Sequence, residues 1–166
     1  MEVLDFLSLF EYIIESRERF LAKFRELGWD EITRNREATW HSMQGIFVHM
    51  LEVEDSWLHY DAAGKPWPFG ERDPSAFKTF EEIETYHTDL AARTRAFLRG
   101  LSEEKLTEDV VFDWAPGKAR STVEEVLLHA FIDEVAHLGE LICLMWQIDV
   151  SPPHVNWIAE HMEPGD

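Results

Sequence analysis

The sequence predicts an all-α protein, an antiparallel four-helix bundle carrying one short strand and turn and a short C-terminal helix. Three observations predict it. Apolar residues recur every three or four positions in four long segments, Gly and Pro mark the gaps between them, and the single β-like run is too short to change the class. A chain of 166 residues fits one domain over 1–166 that buries its core without staples.

The first segment runs from about Leu4 to Leu27, with Phe6, Leu9, Phe10, Ile13, Ile14, Phe20, Leu21 and Phe24 on its inner side. Gly28 follows as a C-terminal stop. The second, about Ser42 to Asp61, starts at or near a capping serine and ends before Gly64-Lys65-Pro66, which cannot continue a helix. A Pro-rich loop, Pro66-Trp67-Pro68-Phe69-Gly70, leads to the third, about Thr79 to Leu98. Thr79 and Glu82 have the capping-box spacing. Val110 to Trp114, followed by Pro116-Gly117, has the pattern of a short strand and turn. The fourth segment begins around Ser121-Thr122 and reaches about Ile148, ahead of Pro152-Pro153. It is apolar on nearly every side, which places it centrally in the bundle or partly in a dimer interface. The tail from His154 to Asp166 has room for one short helix.

Composition narrows the function. The net charge of −18 repels phosphate backbones and anionic lipid surfaces, which argues against nucleic-acid and membrane partners. No stretch approaches spanning length, and the N-terminus lacks a basic leader, so a cytoplasmic location is expected. The single Cys143 excludes an internal disulfide and a Cys-based zinc cluster. Its place between Ile142 and Leu144 reads as a small buried apolar residue.

Chemistry concentrates in the fourth segment. His129, Asp133 and His137 lie four residues apart, and i, i+4 neighbours stack on one helix face. Asp133 and His137 fall within an apolar arc with Val126, Ala130, Leu141 and Leu144, where a carboxylate needs a partner or a metal. His49, on the side of the second segment that carries Ile46, Val53 and Trp57, supplies a third ligand from a neighbouring helix. Three protein ligands leave a fourth position for water or substrate, as in catalytic zinc-type sites. Each residue also has a plainer reading: a core histidine with a hydrogen-bonded partner, or an Asp133–His137 pair that satisfies itself. A rival site follows from Glu84-x-x-His87 and Glu134-x-x-His137, the spacing of di-iron carboxylate bundles, with further acids from Glu11, Glu15, Glu52 or Glu54. Trp57, Tyr60 and the Pro66–Gly70 loop follow the His49 helix and are placed to wall a largely apolar substrate pocket.

The segment Trp40-His41-Ser42, Ile46-Phe47-Val48-His49-Met50 and Glu54-Asp55-Ser56-Trp57-Leu58, paired with Leu127-Leu128-His129-Ala130, Asp133-Glu134 and His137-Leu138-Gly139-Glu140-Leu141, resembles the DinB/YfiT-like family. The likeness covers the four-helix order and nearly the whole chain. It implies a bundle, often a homodimer, with a divalent metal (Zn, Ni or Fe) held by three side chains, usually histidines. By position these are His49, Asp133 and His137, with an aspartate at a place more commonly histidine. Some thiol-dependent relatives carry a carboxylate there. The resemblance further implies a transferase that activates a low-molecular-weight thiol toward a small-molecule substrate, with Glu134 and His129 orienting ligands or moving a proton. Metal-assisted hydrolysis and a non-catalytic dimer with a structural metal are the competing expectations.

Overall fold

The computed structural model describes residues 3–68, 73–112 and 119–158. Trp114 and Pro116-Gly117 of the expected turn, Phe69 and Gly70 of the loop, and the tail from residue 159 lie outside the described residues. The chain is mainly helical. Helix α1 spans Val3–Leu27, the one-turn α2 Trp29–Ile32, α3 Met43–Ser56, α4 Phe80–Arg99, the one-turn α5 Glu103–Leu106 and α6 Val123–Trp146. A two-stranded antiparallel sheet pairs β1 (Asp109–Phe112) with β2 (Ala119–Thr122), Asp109 opposite Thr122 and Phe112 opposite Ala119.

Local signals set the helix ends. Gly28, at φ 86°, breaks α1 from α2 in a conformation that favours glycine. Ser42 caps α3 by accepting the Gly45 N–H at 2.9 Å. Thr79 accepts the Glu82 N–H at 3.3 Å, but the Glu82 carboxylate takes the Lys78 N–H instead of the cap's own, so only half of the expected box forms. The complete box is at α6, where Thr122 and Glu125 exchange bonds. At its C-terminal end α3 passes directly into one π-helical turn, Trp57–Asp61.

α1 packs mainly on α4 and α3 mainly on α6, with further contacts from α1 to α6 and from α3 to α4. The apolar interior falls into two clusters. One gathers Phe20, Phe24, Phe47, Leu51, Leu90 and Leu141, the other Phe6, Phe10, Leu58, Leu98, Leu127 and Phe112. Glu54, Thr94 and Glu134 fall between members of the two clusters on their own helices, and each is fully buried.

One expectation needs correcting, and of the two placements expected for the fourth helix the fully central one does not hold. Cys143 is exposed, because the fully buried Leu141 and Met145 are each two residues away, about 200° around the helix. Apolar sequence neighbours do not place a helical residue inside. The same geometry means that α6 is not covered all round: Ile132 is 62 % exposed and Trp146 59 %. No helix among the described residues is long and apolar enough to cross a membrane.

Candidate metal centre

α3 and α6 bring together the three residues read as ligands. His49, Asp133 and His137 each offer one donor atom, and the three atoms lie within 4.8 Å of one another. Asp133 Oδ2 stands 3.8 Å from His49 Nε2 and 3.7 Å from His137 Nε2. These separations are too long for hydrogen bonds. They are close to the roughly 3.4 Å between donors that a tetrahedral ion about 2.1 Å from each would set. Asp133 Oδ2 is buried and has no hydrogen-bond partner, a costly state for a carboxylate oxygen and one that a cation relieves. Two imidazoles and a carboxylate therefore fit a divalent metal.

Electrostatics keeps His49 available as a ligand. Burial, reinforced by repulsion from His137, pushes its imidazole pKa down to about 4, so the ring is neutral at ordinary pH. His137 is oriented from outside: its Nδ1 meets Glu140 Oε2 at 3.1 Å. A carboxylate accepts a ring N–H, so this contact suits the tautomer with the proton on Nδ1, whose Nε2, the nitrogen facing Asp133, is the one able to bind an ion.

The segment before α3 covers the site. Trp40 stacks on His49 with ring centroids 4.2 Å apart and planes 21° from parallel. To do so, Trp40 and His41 both adopt left-handed backbone, φ 56° and 62°, an uncommon state for residues of this size. Gly45 makes room, since a Cβ there would stand 2.2 Å from the Trp40 carbonyl oxygen.

The remaining sequence-derived residues are placed differently. Glu134 is fully buried and turned toward Arg17, 3.3 Å from its Nη1. Arg17 also gives 2.7 Å to Glu54 Oε2, and Thr94 donates its hydroxyl to the other Glu54 oxygen. Burial raises the Glu134 pKa, and Arg17 opposes the rise. His129 is exposed, with its ring against Trp57 at 4.7 Å. The di-iron alternative is not assembled. Glu84 is held by Arg25, and among the described residues only His49, Asp133 and His137 form a group able to hold an ion. Trp57, Pro66 and Trp67 line a cleft of about 920 Å³ together with Asp61, Lys65 and Val110. Tyr60 is not in its wall but packs edge-on against Trp67 at 4.9 Å.

Sequence reasoning missed Arg17, Trp40 and Glu140. Arg17 had a signal, a charge on the Ile13, Phe20, Phe24 stripe of α1. Trp40 and Glu140 stand among the motif residues, and Glu140 is three places after His137 on the same helix, but the Trp40 stack on His49 and the Thr39 bond of Glu140 come from the loop fold.

The DinB family model matches residues 1–165. The chain is also 21 % identical over 158 residues to the uncharacterized protein YizA of Bacillus subtilis (strain 168), covering 95 % of this chain and 97 % of that one. The match takes in both helices of the His49, Asp133 and His137 cluster, and the chain belongs to the DinB family.

Proposed function

We propose that the protein holds one divalent metal, zinc, nickel or iron, through His49, Asp133 and His137, and uses it in a transferase reaction of a low-molecular-weight thiol. The observation that carries this reading is the convergence of three donors around a buried Asp133 oxygen with no hydrogen-bond partner. When bound, such an ion supplies Lewis acidity that lowers the pKa of an adjacent thiol or water to near neutrality. His49 and His137 contribute neutral nitrogens and Asp133 the negative charge. The substrate thiol would give its proton to His129, its sulfur would attack an electrophilic carbon of the acceptor, and the displaced group would leave with the bonding electrons. His129, at the surface beside Trp57, and Glu134, in the interior beside Arg17, are the proton-handling and orienting groups of this reading. The Trp57–Trp67 cleft takes the small-molecule acceptor.

The same reading takes the four long helices as one antiparallel bundle and one domain, in a cytoplasmic protein. Two copies pair through the α6 face that carries Ile132, Val135 and Trp146. Light scattering would show the pair, and a monomer at micromolar concentration would remove it.

Metal titration tests the centre. His49→Ala, Asp133→Ala and His137→Ala are expected to lose metal with helicity intact, Asp133→His to retain it and Asp133→Asn to bind more weakly. Binding by His49→Ala and Asp133→Ala as tight as the parent's would overturn the three-residue site. A screen of thiols with electrophilic acceptors then tests the reaction, and turnover with water alone would move it to hydrolysis.

A further inference from the structure

Glu140 makes two bonds that leave in different directions. One carboxylate oxygen holds His137 Nδ1 at 3.1 Å, and the other accepts the backbone N–H of Thr39 at 2.8 Å. Thr39 immediately precedes Trp40, whose indole stacks on His49. One side chain therefore reaches a residue of the ligand cluster on α6 and, through the strap at 36–42, the cover over the cluster's residue on α3. The strap is also held at Arg36, which bonds the Glu31 carbonyl oxygen at 3.0 Å, and Ala38 and Trp40 pack on the apolar core. Arg36 N–H bonds His41 O within the strap itself, and the Trp40 indole Nε1 is buried with no hydrogen-bond partner.

We propose that Glu140 is a positioning residue that couples the metal centre to this strap, so that metal at the centre and closure of Trp40 over His49 favour each other. The inference rests on the metal reading above. Its physical basis is the acceptor count of a carboxylate. Glu140 serves the two donors through separate oxygens, and it meets His137 at Nδ1, which suits the tautomer that leaves Nε2 free for metal. Metal on Nε2 selects that tautomer and so strengthens the Nδ1–H bond to Glu140. A Glu140 fixed in this way is fixed for Thr39 too. Coupling of this kind is reciprocal: whatever zinc does to the strap, loss of the strap bond does to zinc.

The experiment is hydrogen exchange of the 36–42 amides, with and without Zn2+, beside zinc titration of the same samples. In the parent protein zinc is expected to slow exchange across 36–42 several-fold. Glu140→Ala should abolish that slowing and weaken zinc binding by about 10–100-fold. Glu140→Gln offers a single acceptor oxygen, so it can serve His137 or Thr39 but not both. It is expected to leave zinc affinity or the zinc response of the strap impaired. A residue that merely propped up the loop would speed exchange by the same factor with and without zinc, and that outcome overturns the coupling. So does a Glu140→Ala or Glu140→Gln protein with both parental affinity and parental slowing. If the parent takes up no zinc, the metal reading and the coupling to it fail together. The Thr39 bond is then judged separately by whether Glu140→Ala speeds 36–42 exchange in metal-free protein.

Discussion

Asp133 and Glu134 are adjacent on α6, yet they belong to two unlike clusters. Glu134 joins Glu54 in the interior, where the chain supplies its own cation: the Arg17 guanidinium contacts both carboxylates, and all three side chains are fully buried. Asp133 sits between two imidazoles at 3.7 and 3.8 Å, neither close enough to bond, and one of them is kept neutral by burial. One hundred degrees of helix rotation separates a carboxylate compensated by an arginine from one flanked by two imidazoles. The difference teaches where to look for bound ions. A buried acid beside an arginine has its charge compensated by the chain, and one flanked by imidazoles offers an oxygen to an ion.

The largest expected effect breaks the interior cluster. Arg17→Met leaves two buried carboxylates facing one another and should lower unfolding stability in urea by about 3–5 kcal/mol. Asp133→Ala should change it by less than about 1 kcal/mol. Equal costs would erase the contrast between the clusters.

Adding zinc is next. Zinc at about one hundred times its dissociation constant should raise the parent's stability by about 2.7 kcal/mol, seen as a higher urea midpoint. The same zinc should leave His49→Ala nearly unmoved. A rise of equal size in both proteins would put the ion elsewhere.

A smaller effect comes through His87, buried beside Arg17 and Arg95. Burial, with repulsion from those guanidiniums, pushes its pKa down to about 3 from an ordinary 6.5. The unfolded chain therefore binds the extra proton first, so the contribution of neutral His87 is whole above pH 6.5 and lost as pH falls toward 3. His49, lowered to about 4, acts in the same direction, and Glu134, raised by burial, in the opposite one. The informative measurement is thus the difference between parent and His87→Leu. Metal-free His87→Leu should lose less stability than the parent between pH 6.5 and 4, and parallel pH curves would contradict the assignment. Smallest of all, exposed Cys143→Ser should stay within about 0.5 kcal/mol of the parent.

Much of this is legible in the amino-acid sequence alone. The four long helices, the Ser42 cap and the short β1 stretch follow from periodicity and breakers, and His49, Asp133 and His137 follow from facing stripes on two helices. What stays hidden has a common cause. The Trp40 stack and the Thr39 bond of Glu140 depend on how a loop returns over a helix, and no spacing rule encodes that path. Cys143 shows the opposite failure, in which a local apolar context outweighs the helical angle that places the residue outside. Arg17 lies between the two cases: its position on an apolar stripe marks it, but its partners on α3 and α6 cannot be read from α1.

The π-helical turn at Trp57–Asp61 has an evolutionary consequence. Such a turn amounts to one residue inserted into an α-helix. Removing one residue from 57–61 would let α3 run on regularly and turn the stretch that directly follows it, the Lys65–Trp67 side of the cleft, by about 100°. His49, two turns upstream, would not move. Single-codon insertions and deletions at this point can thus retune the cleft while the metal-ligand geometry is inherited unchanged.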